Sequence, residues 1–177
     1  DLSIIVVNYN SREKTLNCLK SIFESDLAGI DFEVILVDNN SKENIETEVN
    51  DLYPQVKIIK SEKNLGMGGG NNLGIKEAAG KYVLILNPDT MPKPDAIRKM
   101  YNYLEANEKV GIAGPKLLYP DGQLQYSCFR GWKFLTPLFR RTFLGRIAKK
   151  HLDNFLMRDF DHNSAREVDW LMGSCLM

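Results

Sequence analysis

Residues 82–90 read YVLILNPDT, a short apolar run that ends abruptly in Asn, Pro and Asp. A run of this length, bounded by turn residues, is typical of a β-strand buried on both faces. The same pattern recurs along the chain, in LSIIVVNYN at 2–10, FEVILVD at 32–38, VKIIK at 56–60 and VGIAGP at 110–115. The sequence therefore predicts five strands, most of them followed by polar residues.

Helical spacing of apolar residues appears between these strands. It predicts a helix over 12–25 capped by Ser11, a helix over 43–52, one over about 72–79 ended by Gly80, and one from Pro94 to 107. Strand and helix alternate, which predicts an α/β fold: an open, mainly parallel sheet with helices on both faces. Such sheets bind ligands beyond the carboxyl ends of their strands.

Composition narrows the class of protein. The 177 residues carry 23 Lys plus Arg and 23 Asp plus Glu, so no net charge favours nucleic acid as a partner. Three cysteines without close spacing argue against a zinc site or a disulfide framework and favour a reducing compartment. The sequence has no signal-peptide pattern and no apolar run near the roughly 20 residues of a membrane helix, so we expect a cytoplasmic protein.

Asp89 is the sharpest candidate for chemistry. It follows an almost entirely apolar strand, and Pro88 fixes the turn between them. A carboxylate there can hold Mg²⁺ or Mn²⁺, which take oxygen ligands and often share them with a substrate diphosphate. The alternative is that Asp89 caps its own turn.

Two further segments have functional and structural interpretations. Asp38, in VDNNS, can accept a hydrogen bond from a pyrimidine N–H, or it can begin an Asx-turn. The run from Gly66 to Asn72 allows a ligand close to the backbone and opens a helix whose N-terminus favours anions, or it forms a flexible loop. As a dinucleotide fingerprint it is weak, because it follows the third strand and Asn71 stands where the third glycine should be, and it does not fit a P-loop.

Residues 130–150 carry seven cations and no acid, interleaved with aromatic and aliphatic residues. Such a basic amphipathic stretch can lie on an anionic membrane surface, which predicts possible peripheral contact at the inner face of the membrane. The alternative is a solvated loop over the active site.

The chain resembles family 2 glycosyltransferases, in particular their bacterial rhamnosyltransferase-like branch. The matching segments stand in order: IIVVNYNS at 4–11, VDNNS at 37–41, NLGMGGGNNLG at 64–74, YVLILNPDT at 82–90, GPKLLYPDGQLQYS at 114–127 and VDWLMGS at 168–174. The resemblance implies a GT-A fold and transfer of a sugar from a nucleoside diphosphate sugar, usually with inversion. It implies a hexosyltransferase of bacterial polysaccharide or cell-surface glycan synthesis, with dTDP-rhamnose or a UDP-sugar as donor and a glycan or lipid-linked acceptor.

The resemblance also implies roles for individual residues. Residues 1–115 would form the nucleotide-sugar-binding subdomain, and 116–177 would begin the acceptor side. The metal ligand would be Asp89, and Trp170 and Gly173 would line the sugar or acceptor side, although core packing is the common fate of a Trp. The nucleotide-binding residues would be Asn8, Tyr9, Asn10, Asp38, Asn64, Gly66, Gly70 and Asn87.

Two departures from the family pattern qualify these expectations. Asn87 stands where the usual Asp-x-Asp metal motif has its first carboxylate. The family's general base lies downstream of a motif like VDWLMGS, so we expect it beyond Met177 and expect this chain to bind donor but transfer sugar poorly. The alternatives are a non-catalytic nucleotide-binding module and a nicotinamide-dependent oxidoreductase.

Overall fold

The computed structural model describes residues 1–131 and 149–177. It forms two compact units, the first made of residues 1–113 and 173–177 and the second of residues 114–172. Residues 173–177 thus join the first unit, although the sequence groups them with the second region. The elements of the first unit are β1 (Leu2–Asn8), α1 (Arg12–Phe23), β2 (Phe32–Asp38), α2 (Glu46–Leu52), β3 (Lys57–Lys60), α3 (Gly66–Lys76), β4 (Tyr82–Leu86), α4 (Ala96–Ala106) and, near the end of the chain, Cys175–Leu176.

The sheet has the order β3-β2-β1-β4, followed at its edge by the strand Cys175–Leu176. The first four strands pair in parallel, and the last pairs antiparallel with β4. In this register Asn8 lies opposite Asp38, and Val6 lies opposite Leu86. The carboxyl ends of β1, β2 and β4 therefore meet at one edge of the sheet. The predicted α/β fold with a mainly parallel sheet is confirmed.

Both faces of the sheet are covered. Alternate residues of a strand point to opposite faces. On one face Ile5, Ile35 and Val37 form a core cluster against Leu73 of α3. On the other face Ile4 and Leu84 are also fully buried. Burial on both faces explains why these strands are apolar at nearly every position.

The predicted fifth strand at 110–115 is wrong. These residues form no strand, and the edge position beside β4 is taken by Cys175–Leu176. A single residue of the segment, Ala113, exchanges two backbone hydrogen bonds with Met177, at 2.8 and 2.9 Å. Pro115 has no N–H to donate, so the pairing cannot extend in that direction.

The glycine-rich run also differs from its prediction. It was expected to precede a helix over 72–79, but α3 already begins at Gly66 and ends at Lys76. A Cβ on Gly70 would lie 2.7 Å from Cγ1 of Val7, and one on Gly74 would lie 2.5 Å from Cγ2 of Ile5. These glycines let the helix pack directly on β1, which explains them better than a flexible loop does.

The predicted helix ends are corrected in three places. Ser11 precedes α1, but its hydroxyl donates to the carbonyl of Tyr9 at 3.0 Å and makes no capping bond. Gly80 does not end a helix; its N–H donates to Oγ of Ser3 at 2.8 Å, because the chain there passes against the start of β1. The fourth helix begins at Ala96, two residues after Pro94.

The second unit contains two small antiparallel pairs and a short helix. Strands β5 (Leu117–Leu118) and β6 (Leu124–Gln125) pair across a turn in which Gly122 has φ +82°. Strands β7 (Cys128–Phe129) and β8 (Trp170–Leu171) form the other pair, and the helix spans Lys149–Phe155. Cys175–Leu176 of the first unit is accordingly β9. No helix within residues 1–131 and 149–177 is long and apolar enough to cross a membrane.

Candidate functional site

A cavity of about 310 Å³ lies at the carboxyl edge of the sheet in the first unit. It is near the lower end of the volumes found for small-molecule sites. Of the predicted site residues, Tyr9, Asn64, Gly66, Asn87 and Asp89 line it, and Asn8, Asn10, Asp38 and Gly70 do not. Its other lining residues are Val7, Ser11, Lys14, Asn39, Met67, Asn71, Leu86 and Pro88.

Asn8, at the end of β1, ties the neighbouring loops together. Its side-chain amide is buried, at 1% exposure, and its nitrogen donates to Oδ1 of Asp38 at 3.2 Å and to Oγ of Ser41 at 2.9 Å. Its oxygen accepts from the Ser11 N–H at 3.2 Å and from the Thr15 hydroxyl at 3.0 Å. All the polar atoms of this amide are therefore used within the protein, which makes Asn8 a support for the site.

Asp38 takes part in the same network through one oxygen. Its Oδ1 accepts from Asn8 and from the Ser41 N–H, the latter at 3.3 Å. The Ser41 N–H lies three residues after Asp38, so this bond holds the loop but is not the Asx-turn that the sequence allowed, which bonds two residues on. Oδ2 makes no hydrogen bond within the described part of the chain, so the carboxylate keeps an acceptor for a ligand.

Asn10 lies in the loop between β1 and α1 and, like Asn8, is hydrogen-bonded to Ser41. It has a left-handed backbone, with φ +49°. Its side-chain oxygen accepts from the Lys42 N–H at 2.8 Å, and its own N–H donates to Oγ of Ser41 at 3.0 Å. These bonds fix the loop next to Tyr9, whose ring is 45% exposed and lines the cavity.

Asn39 is a functional candidate that the sequence analysis did not select. It is 2% exposed and lines the cavity. Its side-chain nitrogen donates to Oδ1 of Asn64 at 3.0 Å and to the carbonyl of Gly66 at 3.1 Å, and its oxygen accepts from the Leu65 N–H at 3.0 Å. Asn39 therefore anchors the start of α3 to the end of β2. The polar run after that strand was the available signal.

The start of α3 lines one side of the cavity. Gly66 has φ +70°, a conformation that a side chain would strain, and its N–H donates to Oδ1 of Asn64 at 2.8 Å. Gly66, Met67 and Asn71 line the cavity on this side. A helix N-terminus carries partial positive charge and unsatisfied N–H groups, both of which favour an anionic ligand.

The loop after β4 leaves its carboxylate available. The Asn87 N–H donates to the carbonyl of Ser174 at 2.9 Å, and the Asn87 carbonyl accepts from the Thr90 N–H at 3.0 Å, which closes a turn around Pro88 and Asp89. Backbone bonds thus hold this turn, and Asp89 is not needed to cap it. Asp89 is exposed, and within residues 1–131 and 149–177 it has no hydrogen bond or ion pair.

The cysteines near this loop are inert. Burial, and to a smaller extent Cys175 and Asp89, raise the pKa of the Cys18 thiol to about 12. Burial alone raises the pKa of Cys175 to about 12. The Cys18 thiol lies 3.7 Å from the carbonyl oxygen of Asn87. Since the thiolate is the reactive form, these residues serve packing and not nucleophilic chemistry.

The side-chain oxygens in the cavity suit a metal ion that binds together with a diphosphate. The described residues contain no cluster of three or more His, Cys, Asp or Glu side chains suited to a metal ion. Mg²⁺, however, is commonly held by one or two carboxylates together with substrate phosphates and water. Asp89, exposed in the cavity and unpaired within the described ranges, meets that requirement, and Asn87 offers a side-chain amide oxygen but no second carboxylate.

The two residues predicted for the sugar or acceptor side have different surroundings. Trp170, in the second unit, stacks on Phe129 with ring centroids 4.2 Å apart and lies 6.0 Å from the ring of Phe155. It is thus part of an aromatic cluster, as the core-packing alternative expects. Gly173 belongs to the first unit, and a Cβ there would meet no atom within 4 Å.

The basic segment 130–150 lies mostly outside the described residues, which omit 132–148. Arg130 is described, and its guanidinium forms a two-pronged pair with Asp159, at 2.8 and 2.6 Å. This pair raises the pKa of Arg130 and lowers that of Asp159 to about 2. Arg130 is therefore committed to a contact within the second unit, and the predicted membrane contact stays a prediction.

The sheet topology and its helices define an α/β domain of the GT-A type. The chain belongs to glycosyl transferase family 2, whose family model matches residues 3–164. The predicted family is thereby confirmed. The rhamnosyltransferase-like branch stays a prediction.

Curated relatives are glycosyltransferases of greater length. The low-salt glycan biosynthesis hexosyltransferase of Haloferax volcanii is 33% identical over 126 residues, which cover 69% of this chain and 38% of that protein. The dolichol-phosphate mannosyltransferase of Pyrococcus furiosus is 29% identical over 152 residues, covering 83% and 41%. The chain thus spans about two fifths of the length of these relatives.

Solved structures agree on the fold. Staphylococcus aureus TarS in complex with UDP-GlcNAc has a TM-score of 0.63 at 22% identity, over 74% of this chain and 38% of that chain. The mannosyltransferase PcManGT of Pyrobaculum calidifontis, in complex with GDP-Man and Mn²⁺, has a TM-score of 0.60 at 23% identity, over 68% and 36%. At these identities the comparison establishes the GT-A type of fold.

Proposed function

We propose that this chain is the donor-binding part of a glycosyltransferase that moves a sugar from a nucleoside diphosphate sugar to an acceptor hydroxyl. The observation that carries the proposal is the cavity in which the exposed carboxylate of Asp89 and the N-terminus of α3 meet at one edge of the sheet. Family membership and the carbohydrate-active relatives support it. Both features suit a diphosphate, directly or through a cation.

Each donor-side residue has a defined task in this proposal. Asp89, together with the diphosphate, would hold Mg²⁺ or Mn²⁺, and the ion would neutralise charge on the departing nucleoside diphosphate. Asn39 fixes the start of α3, so that its N–H groups face the diphosphate. Tyr9 offers an aromatic face for the nucleoside, and Oδ2 of Asp38 an acceptor for a base N–H.

The finer assignments follow the sequence resemblance. We propose inversion at the anomeric carbon, UDP or dTDP as the nucleotide, and rhamnose from dTDP-rhamnose as the leading donor sugar. The pathway is bacterial polysaccharide or cell-surface glycan synthesis, with a glycan or lipid-linked acceptor.

Calorimetric titration with UDP, dTDP and GDP, with and without Mn²⁺, tests the donor site. We expect UDP or dTDP to bind more tightly with Mn²⁺. Asp89→Asn removes the carboxylate charge and should lower the Mn²⁺-dependent affinity roughly tenfold to a hundredfold, the weight of a hydrogen bond to a charged group. Asp51→Asn, the same change on the exposed face of α2, is the control and should bind like the wild type.

Two results contradict the proposal. The metal role of Asp89 is wrong if Mn²⁺ has no effect on the affinity of any nucleotide. Nicotinamide cofactor binding without metal would favour the oxidoreductase alternative. Release of nucleoside diphosphate from a sugar donor, measured with the natural full-length protein, separates an enzyme from a binding module: an enzyme loses this activity in Asp89→Asn, and a binding module has none to lose.

A further inference from the structure

Lys14 is the only basic residue among the described residues that line the cavity, and Asp89 is the only acidic one. The rest of the lining consists of neutral polar and apolar side chains. Lys14 lies in the first turn of α1, two residues after the helix begins. Within residues 1–131 and 149–177 it forms no ion pair. Its exposed ammonium is therefore available to a ligand in this cavity.

The direction of Lys14 follows from the helix. Residues four positions apart lie on the same face of a helix, and Cys18, one turn after Lys14, places its thiol 3.7 Å from the carbonyl oxygen of Asn87. Lys14 therefore projects from the face of α1 that is turned towards the loop carrying Asp89. Both residues line the same cavity from different elements.

The helix itself gives no electrostatic reason for a cation at this position. The N-terminus of a helix has a partial positive charge, which disfavours Lys in the first turn. Arg12, two residues earlier, already pairs with Glu48. A residue that its own helix disfavours, at the wall of a cavity, is better explained by a negatively charged ligand.

The charges of a bound donor leave one charge for Lys14 to balance. The diphosphate of a nucleoside diphosphate sugar carries two negative charges, and Asp89 adds another. A divalent cation neutralises all but one of them. The Lys14 ammonium group can balance this remaining negative charge and donate hydrogen bonds to phosphate oxygens.

We infer that Lys14 is a donor-binding residue, whose ammonium contacts the diphosphate from the α1 wall of the cavity. The inference rests on the proposed function and deepens it: the site has a protein cation in addition to the metal, and it selects nucleoside diphosphates over nucleosides by charge. The contact is made with the nucleotide portion of the donor, so it is independent of the sugar.

Three variants and two ligands test this role. Lys14→Gln removes the charge, Lys14→Arg keeps it, and Lys20→Gln removes an exposed charge elsewhere on α1, where Lys20 lies 3.8 Å from Glu24. Each is titrated calorimetrically with the nucleoside diphosphate that the wild type binds and with the corresponding nucleoside, in Mn²⁺ buffer. Thermal unfolding is recorded for every variant.

We expect Lys14→Gln to weaken diphosphate binding about tenfold, as for a lost charged hydrogen bond, and to leave nucleoside binding and the unfolding temperature unchanged. The affinity of Lys14→Arg and of Lys20→Gln for the nucleoside diphosphate should stay within about threefold of the wild type, a smaller change than the loss of a charged hydrogen bond causes. Raising the salt concentration should reduce the difference between wild type and Lys14→Gln, because ions screen an exposed charge pair.

The outcomes separate the inference from the proposed function. If the wild type binds a nucleoside diphosphate with Mn²⁺ and Lys14→Gln binds it equally well, the role of Lys14 is wrong and the donor site stands. An equal loss for nucleoside and diphosphate also overturns it, since that result reflects a structural defect. If the wild type binds no nucleoside diphosphate, the proposed function fails and this inference fails with it.

Discussion

Gly74→Ala probes the contact between α3 and the sheet on which the candidate site depends. A Cβ at this position would lie 2.5 Å from Cγ2 and 3.2 Å from Cδ1 of Ile5. Ile5 is fully buried in the central strand β1, and Cγ2 is attached directly to its Cβ, so the clash cannot be relieved by moving the end of a flexible chain. Helix and strand must instead separate.

The size of the effect is a balance of two terms. Inserting a methyl group into a well-packed core costs about 1–3 kcal/mol. Replacing a helical glycine with alanine returns up to about 1 kcal/mol through helix propensity. We expect a net loss of about 1–2 kcal/mol and, for a protein of this size, a fall in unfolding temperature of about 2–8 °C.

Gly68→Ala is a control within the same helix. A Cβ on Gly68 meets no atom within 4 Å, so this change should leave stability unchanged or raise it by a few tenths of a kcal/mol. Urea unfolding followed by circular dichroism measures both variants. The packing argument is refuted if Gly74→Ala is as stable as Gly68→Ala.

A double variant assigns the cost to one contact. Ile5→Ala alone should destabilise the protein by about 2–5 kcal/mol, because it leaves a cavity in the core. In the Ile5→Ala background the clashing methyl groups are absent, so Gly74→Ala should cost close to nothing. An undiminished cost there would place the strain elsewhere.

Two other predictions concern the supports of the site. Asn39→Ala removes a buried amide that makes three hydrogen bonds, to Asn64, Leu65 and Gly66, and should cost about 1–3 kcal/mol, with weaker nucleotide binding. Unchanged urea unfolding and nucleotide titration would show that the start of α3 is held in another way. Cys18 and Cys175 should resist a thiol reagent near pH 8 until the protein unfolds, and rapid labelling of both thiols in the native protein would contradict this. Because their folded pKa of about 12 exceeds the ordinary 9.0, the folded state keeps their protons to higher pH than the unfolded chain does, so stability should fall as pH rises above about 9.

Much of the fold can be read from local patterns. The runs that form β1, β2 and β4 are apolar at almost every position because both faces of the sheet are covered, and burial of this kind is visible in the sequence itself. Parallel strands also share a carboxyl edge. The prediction that Asp89 stands at that edge therefore needed no coordinates.

Other features depend on residues far apart in the sequence. Residues 110–115 resemble a strand, but β4 has a single vacant edge. The strand Cys175–Leu176, about ninety residues after β4 in the sequence, occupies that edge. The glycines of α3 resemble a loop because glycine is a poor helix former. Their reason lies in the side chains of Val7 and Ile5, which leave no room for a Cβ.

The same distinction between local sequence and distant contacts applies to the candidate site. Which residues are polar at the strand ends can be read directly from the chain, because side-chain chemistry is local. Folding selects which of them face the cavity: the Asn8 side chain is fully engaged in four hydrogen bonds, whereas Asp89 makes none within the described ranges. It also brought Asn39 and Lys14 to the cavity wall, since only strand pairing and helix packing bring together residues that are distant in the chain.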